Sequence, residues 1–184
     1  MKTPILVTLL ALLLGCANQP SPVTISKWEP ISPDKYIQLT YEATDKLVMQ
    51  FEQITGFPYK NEPILVATLV SVDELESSSR LGRSISEQVA ARLTQKGFNV
   101  IEAKLRGALF VKRAEGELLL SREIAQISQS HRAPAVVVGT YAPATNFVHV
   151  NLKVVRANTQ QVLAAADYGL PLDANTRTLL TSGK

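Results

Sequence analysis

The chain has 184 residues, 46 % of them apolar and 19 % charged, with a formal charge of +3 at neutral pH. That length and balance suit one globular domain and exclude a disordered polyelectrolyte. So small a positive excess, with no basic run or interleaved aromatic set, argues against a nucleic-acid partner.

Lys2 precedes an apolar run from Pro4 to Leu14, the layout of a secretory signal. The run is too short for a membrane-crossing helix, which needs ~20 apolar residues. It leads into Leu12-Leu13-Leu14-Gly15-Cys16, where the chain's single cysteine stands at the expected cleavage point. The stretch resembles a bacterial lipobox. That likeness implies cleavage between Gly15 and Cys16, a diacylglyceryl thioether on Cys16 and a third acyl chain on its new amino group. An ordinary free cysteine is a small buried hydrophobe. Against that reading stand the uniqueness of Cys16, its place after Leu-Leu-Gly, and the polar Ala17-Asn18-Gln19-Pro20 behind it. Leu14 is bulkier than the residue that lipoboxes usually carry before the small one. One acyl chain holds a protein marginally and two signals hold it stably, each buried methylene contributing ~0.8 kcal/mol. Three chains are therefore a permanent anchor. In Gram-negative lipoproteins, Asp after the lipidated Cys commonly retains the protein in the inner membrane. Ala17 and Asn18 instead imply the periplasmic face of the outer membrane. Losing residues 1–15 removes Lys2 and takes the charge from +3 to +2. With its only cysteine committed to lipid, the domain is held by its core rather than by disulfides.

Residues 16–33 form the lipidated Cys and a tether, with Pro20, Pro22, Pro30 and Pro33 among small polar residues. Extended, it spans roughly 50 Å, and as a coil about half that. The domain, residues 34–184, therefore stays near the leaflet. Ser32-Pro33-Asp34 reads as a helix start. Apolar residues then recur at Tyr36, Leu39, Ala43, Leu47, Phe51 and Ile54, up to Gly56, which closes the helix. The polar face is not rich in Lys or Arg, so the stripe reads as core rather than as a membrane-lying face.

Pro63 to Val70 is a continuous apolar run, as a strand buried on both faces shows. A polar loop from Ser71 to Ser79 follows, then an amphipathic helix on Leu81, Ile85, Val89 and Leu93 ending at Gly97. Phe98 to Ala103 is the next strand, completing a parallel crossover unit. Residues 106–120 suggest a hairpin arm around Arg113-Ala114-Glu115-Gly116. Ser121 caps a helix to about Arg132, and Ala135 to Gly139 is a buried strand. Val148, Val150, Leu152 and Val154 share one strand face. Asn158-Thr159 turns the chain, and Val162, Ala164, Ala166 and Tyr168 alternate on the return. Asp173 caps a short helix through Leu180. The sum is one α/β domain with a mixed sheet: an N-terminal helix, a parallel β-α-β crossover half, and an antiparallel C-terminal meander.

Chemistry is sparse along this chain. His131 and His149 are the only histidines, share no ligand spacing, and have no available cysteine to join them, which disfavours a metal or nucleophilic site. His131 reads as a helix end and His149 as a solvated strand residue. Ser32-Pro33-Asp34-Lys35 matches S-x-x-K, but no K-T-G triplet follows. Gly82-Arg83-Ser84-Ile85-Ser86 is one glycine short of a nucleophile elbow and lies within a helix. Asp73, Glu74 and Glu76 lack the glycine and further ligands of a calcium loop. There is no glycine-rich phosphate loop. The expectation is no catalytic residue, no cofactor and no metal.

Several segments together resemble the FlgO family of flagellar outer-membrane lipoproteins. They are Leu69-Val70-Ser71-Val72-Asp73-Glu74-Leu75, then Ser78, Ser79, Leu81 and Gly82, followed by Gly97-Phe98-Asn99-Val100 into Leu105-Arg106. Leu120-Ser121-Arg122-Glu123, Val138-Gly139-Thr140-Tyr141 and Leu170-Pro171-Leu172-Asp173-Ala174-Asn175-Thr176-Arg177 complete the set. The resemblance spans about residues 40–180. It implies a fold similar to the amino-terminal domain of TolB and a non-enzymatic structural role at the flagellar basal body, needed for motility. Implied partners are the outer membrane through the acyl chains, accessory proteins of the basal-body ring, and other copies of the chain. The alternative is an envelope lipoprotein that regulates a peptidoglycan synthase or another envelope complex through protein–protein binding. A tether of this length looks too short to cross the cell wall for that purpose. A lipid- or glycan-binding module is a third, weaker reading.

Overall fold

The computed structural model describes residues 32–55, 61–103, 110–112, 118–120 and 122–181. Gly15, Cys16, the tether expected before Ser32, Gly56, Leu105-Arg106, Ser121 and the turn expected at 113–117 lie outside the described residues.

Helix α1 (Pro33–Thr55) starts where the sequence placed it. The Ser32 hydroxyl accepts the Lys35 N–H at 3.2 Å, and the Ser32 carbonyl accepts the Tyr36 N–H at 3.0 Å. Ala43, Leu47 and Phe51 are buried as expected, with Val48 added. Thr40 and Thr44 are fully buried among them. Their hydroxyls are satisfied by the Tyr168 hydroxyl at 3.0 Å and the Thr40 carbonyl at 2.8 Å. Ile54, read as core, is 62 % exposed. Burial along α1 stops at Phe51, and the last turn runs past the core.

Strand β1 (Pro63–Ala67), helix α2 (Arg80–Gln95) and strand β3 (Asn99–Ala103) form the parallel crossover. The short β2 (Val70–Ser71) lies between β1 and α2 in sequence. Strands β4 (Phe110–Lys112) and β5 (Leu118–Leu120) make the expected hairpin, pairing Phe110 with Leu120. After helix α3 (Arg122–Ser130) come β6 (Ala135–Pro143), β7 (Phe147–Arg156) and β8 (Val162–Pro171), then α4 (Ala174–Leu180). The main sheet runs β3-β1-β6-β7-β8, with β2 paired to β6. From β1 the chain crosses one way to β3, then back past β1 to β6. Two crossovers of one hand in opposite directions put their helices on opposite faces. Accordingly α2 packs with α1 over Val137, Val150 and Leu152, while Ile124 of α3 packs over Leu65, Val136 and Val138 on the other face.

The apolar run from Pro63 to Val70 is not one strand. Ile64 pairs with Ala135 and Val66 with Val137, but Val70 pairs with Thr140. Four steps on one strand thus match three on the other, which is a β-bulge at Thr68-Leu69. A second irregularity, between Val154 and Val155, shifts the next pairing. It leaves Val162, expected in the core, 50 % exposed and puts Leu163 inside at 3 %. β6 also runs four residues past the expected Gly139, because antiparallel pairing with β7 continues to Pro143 opposite Val148.

β8 is a sheet edge, and α1 closes its middle. The Gln50 side-chain amide donates to the Ala165 carbonyl at 3.0 Å and accepts the Ala165 N–H at 3.3 Å, as a neighbouring strand would. Gln50→Ala should destabilise the domain by about 1–2 kcal/mol, since it unpairs two partly buried backbone groups. Urea unfolding measures this directly, and an unchanged midpoint would show the edge to be solvated.

Candidate functional site

The residues suspected of chemistry do not converge. His131 is exposed in the turn after α3. His149 sits on the uncovered polar face of β7, where its Nε2 lies 3.2 Å from Asp167 Oδ1. The Asn151 amide donates to the same oxygen at 2.6 Å. That amide, then His149, hold the Asp167 carboxyl below the usual carboxylate range. Asp73 and Glu74 are exposed in the loop after β2, and the Glu74 carboxylate accepts the Ser77 hydroxyl at 2.8 Å. Among the described residues no three His, Cys, Asp or Glu side chains cluster as metal ligands. On the far side of the domain the Arg92 guanidinium donates to Asp45 at 2.8 Å, stacks 5.1 Å from the Tyr41 ring, and lowers the Asp45 pKa. This pair fastens α2 to α1.

In open α/β sheets, ligands bind where the strand order reverses, outside the carboxyl ends of the strands. Here that crevice opens between β1 and β6, and it is filled. The bulge turns Leu69 into it, fully buried, with Tyr141 at 4 % exposure beside it. Leu69 is bonded on both sides: its N–H donates to Ser86 Oγ at 2.8 Å and its carbonyl accepts Ser78 Oγ at 2.6 Å. The Tyr141 hydroxyl accepts the Ser79 N–H at 2.9 Å, and the Ser79 side chain caps α2 through the Gly82 N–H at 3.2 Å. Two glycines allow the approach. A Cβ on Gly82 would stand 2.5 Å from the Leu69 carbonyl and 2.8 Å from the Tyr141 ring, and one on Gly139 2.7 Å from Leu69 Cγ. The motif residues Leu69, Ser78, Ser79, Gly82, Gly139 and Tyr141 thus form one packed joint.

Two clefts remain. One, of about 300 Å³, lies at the end of α3 beside Arg132 and Arg156. Arg132 has φ 53, in the left-handed region. That conformation ends α3, with the Ala133 N–H on the Ser128 carbonyl at 2.8 Å. The other cleft, of about 240 Å³, lies between the first turn of α1 and α4, lined by Pro33, Tyr36, Asp173, Asn175, Thr176 and Leu179. Asp173 was legible in the sequence only as a helix cap, and its Oδ1 does accept the Thr176 N–H at 2.8 Å. What sequence reasoning missed is that its Oδ2 is buried and accepts nothing among the described residues.

Burial raises the pKa of Tyr36 and, more strongly, of Tyr168. A raised tyrosine pKa contributes stability that is complete below the unfolded value near 10 and is lost as pH rises above it. Thermal midpoints should therefore fall above pH ~10, and Tyr168→Phe should flatten that limb. An alkaline limb unaltered by the substitution would assign it elsewhere.

A family model described as FlgO protein matches residues 41–175. No curated protein matches the chain. Among solved structures, the LpoB C-terminal domain from Salmonella enterica is similar at 14 % identity, over 71 % of this chain and 97 % of that one, with TM-score 0.49. The PelC dodecamer from Paraburkholderia phytofirmans gives 13 % identity over 61 % and 73 %, with TM-score 0.41. TolB from Acinetobacter baumannii gives 16 % over 61 % and 24 %, with TM-score 0.36.

Proposed function

We propose that this chain, which belongs to the FlgO protein family, is a lipoprotein held at the periplasmic face of the outer membrane by acyl chains on Cys16, and a structural component of the flagellar basal body. In this reading it works by contact rather than by catalysis. Its partners are accessory proteins of the basal-body ring and, in an assembled ring, further copies of itself. The observation that carries the non-enzymatic part is the filled crevice. Leu69 and Tyr141 occupy the place where such a sheet would hold a ligand, and their hydrogen bonds are met within the domain. The sequence before Ser32 supports the anchoring, as its lipobox ends in the chain's single cysteine.

The test is a clean deletion in the native host. Swimming through soft agar should be lost and should return when the intact gene is supplied. A deletion strain that swims normally with intact flagella would refute the proposal.

A further inference from the structure

We propose that Gln50 keeps the β8 edge from pairing with the β8 of a second copy, so that α1 blocks self-association along this strand. β8 pairs with β7 on one side and ends the sheet on the other. Such an edge is a template for another strand, and identical chains carry identical edges. The Gln50 carboxamide meets that hazard by standing in for a peptide group. Its Nε2 donates to the Ala165 carbonyl at 3.0 Å, and its Oε1 accepts the Ala165 N–H at 3.3 Å. Those are the two bonds that a hydrogen-bonded pair of antiparallel residues exchanges.

The rest of the edge shows why Ala165 is the place to block. Its N–H and carbonyl point away from β7, and backbone groups alternate along a strand, so those of Asp167 and Gly169 also face outward. Pro171 would be next and has no N–H to offer. In the other direction, Ala164 pairs with Val154 and Val162 with Val155, so Leu163 is an extra residue that breaks the ladder. The outward run is thus three residues long, and Gln50 takes the first of them. A second copy pairing about Asp167 would set two carboxylates opposite each other, and like charges so placed are destabilising. One pairing about Gly169 would set Asp167 opposite Pro171, a bond short on each side. Pairing about Ala165 would set alanine against alanine and exchange two good bonds. That is the register Gln50 occupies.

A second copy is the strand most often met. On the proposed function, copies anchored to one leaflet by tethers of equal length carry β8 at the same height. Copies that assemble there then meet through surfaces other than this edge. The block itself is a property of the folded domain and does not depend on the anchor.

The mature chain carrying Cys16→Ser separates the two. Hydrogen exchange followed by NMR should find the Ala165 amide protected, and the Asp167 and Gly169 amides at least tenfold less so. Sedimentation should find this chain monomeric as its concentration rises. Adding Gln50→Ala should give a concentration-dependent dimer, with association at least tenfold tighter and native circular dichroism. Gln50→Lys removes the same acceptor from the Ala165 N–H but places a charge on the edge, which opposes strand pairing. It should stay monomeric. Slow exchange at Asp167 and Gly169 in the monomer would overturn the proposal, since the edge would then be covered by something else. So would a Gln50→Ala chain that associates no more than its parent. Equal association of the Gln50→Ala and Gln50→Lys chains would also overturn it, by tracing the dimer to loosened packing. None of these readouts involves motility or membrane attachment, so failure here is distinguishable from failure of the proposed function.

Discussion

Gly82→Ala should lower the thermal midpoint by roughly 6–12 °C, the shift expected for a loss of about 3 kcal/mol in a domain of this size. The added methyl would stand 2.5 Å from both the Leu69 carbonyl oxygen and Ser78 Oγ. The nearest obstacle is backbone in a bulge already fixed by the Ser86 and Ser78 hydroxyls, so it has little room to retreat. Gly139→Ala should behave similarly, with the methyl 2.7 Å from the Asn151 carbonyl. Gly97 is the useful contrast. It has φ +87 and open space around it, so Gly97→Ala costs only the conformational penalty, about 1 kcal/mol. Melts of the three variants by circular dichroism separate crowding from backbone strain. A Gly82→Ala midpoint close to that of the native chain would mean that the crevice is not packed as described.

Cys16→Ser should have the largest effect on behaviour while leaving the fold alone. In the proposed reading Cys16 carries the diacylglycerol, so without its thiol processing to a triacylated terminus cannot proceed. Each acyl methylene withdrawn from the bilayer forfeits ~0.8 kcal/mol, so the partition changes by many orders of magnitude. Among the described residues no helix is long and apolar enough to cross a membrane and replace the anchor. Membrane fractionation should no longer find the variant in the outer membrane, and soft-agar swimming should be lost as in a deletion. Retention in outer-membrane vesicles, with normal swimming, would remove lipidation from the account.

Much of the fold was legible because its signals are local. Ser32-Pro33-Asp34 and Asp173 announce helix starts through their own side chains, and the alternation of Val148, Val150, Leu152 and Val154 reports a sheet with one covered face. What was not legible depends on register between distant segments. Nothing in Pro63 to Val70 reveals that the strand breaks at Thr68-Leu69, because the extra residue is defined only against β6. The same holds for Val162 and Leu163, exchanged by an extra residue on β8 that is defined only against β7. Gly82 carried two possible signals, a catalytic elbow and a family motif, and only the approach of Leu69 and Tyr141 shows why a glycine is there. The cleft at Asp173 was hidden for a related reason: one carboxylate oxygen caps α4, and the sequence cannot say what the other one meets.

The central claim is that a catalytically inert domain sits against the outer membrane as part of the flagellar base. The most direct measurement is cryo-electron tomography of basal bodies in cells with and without the protein, averaged about the flagellar axis. The account predicts that density on the periplasmic face of the outer membrane, encircling the rod, disappears in the deletion and returns with the intact chain. Basal bodies indistinguishable between the two strains would contradict it.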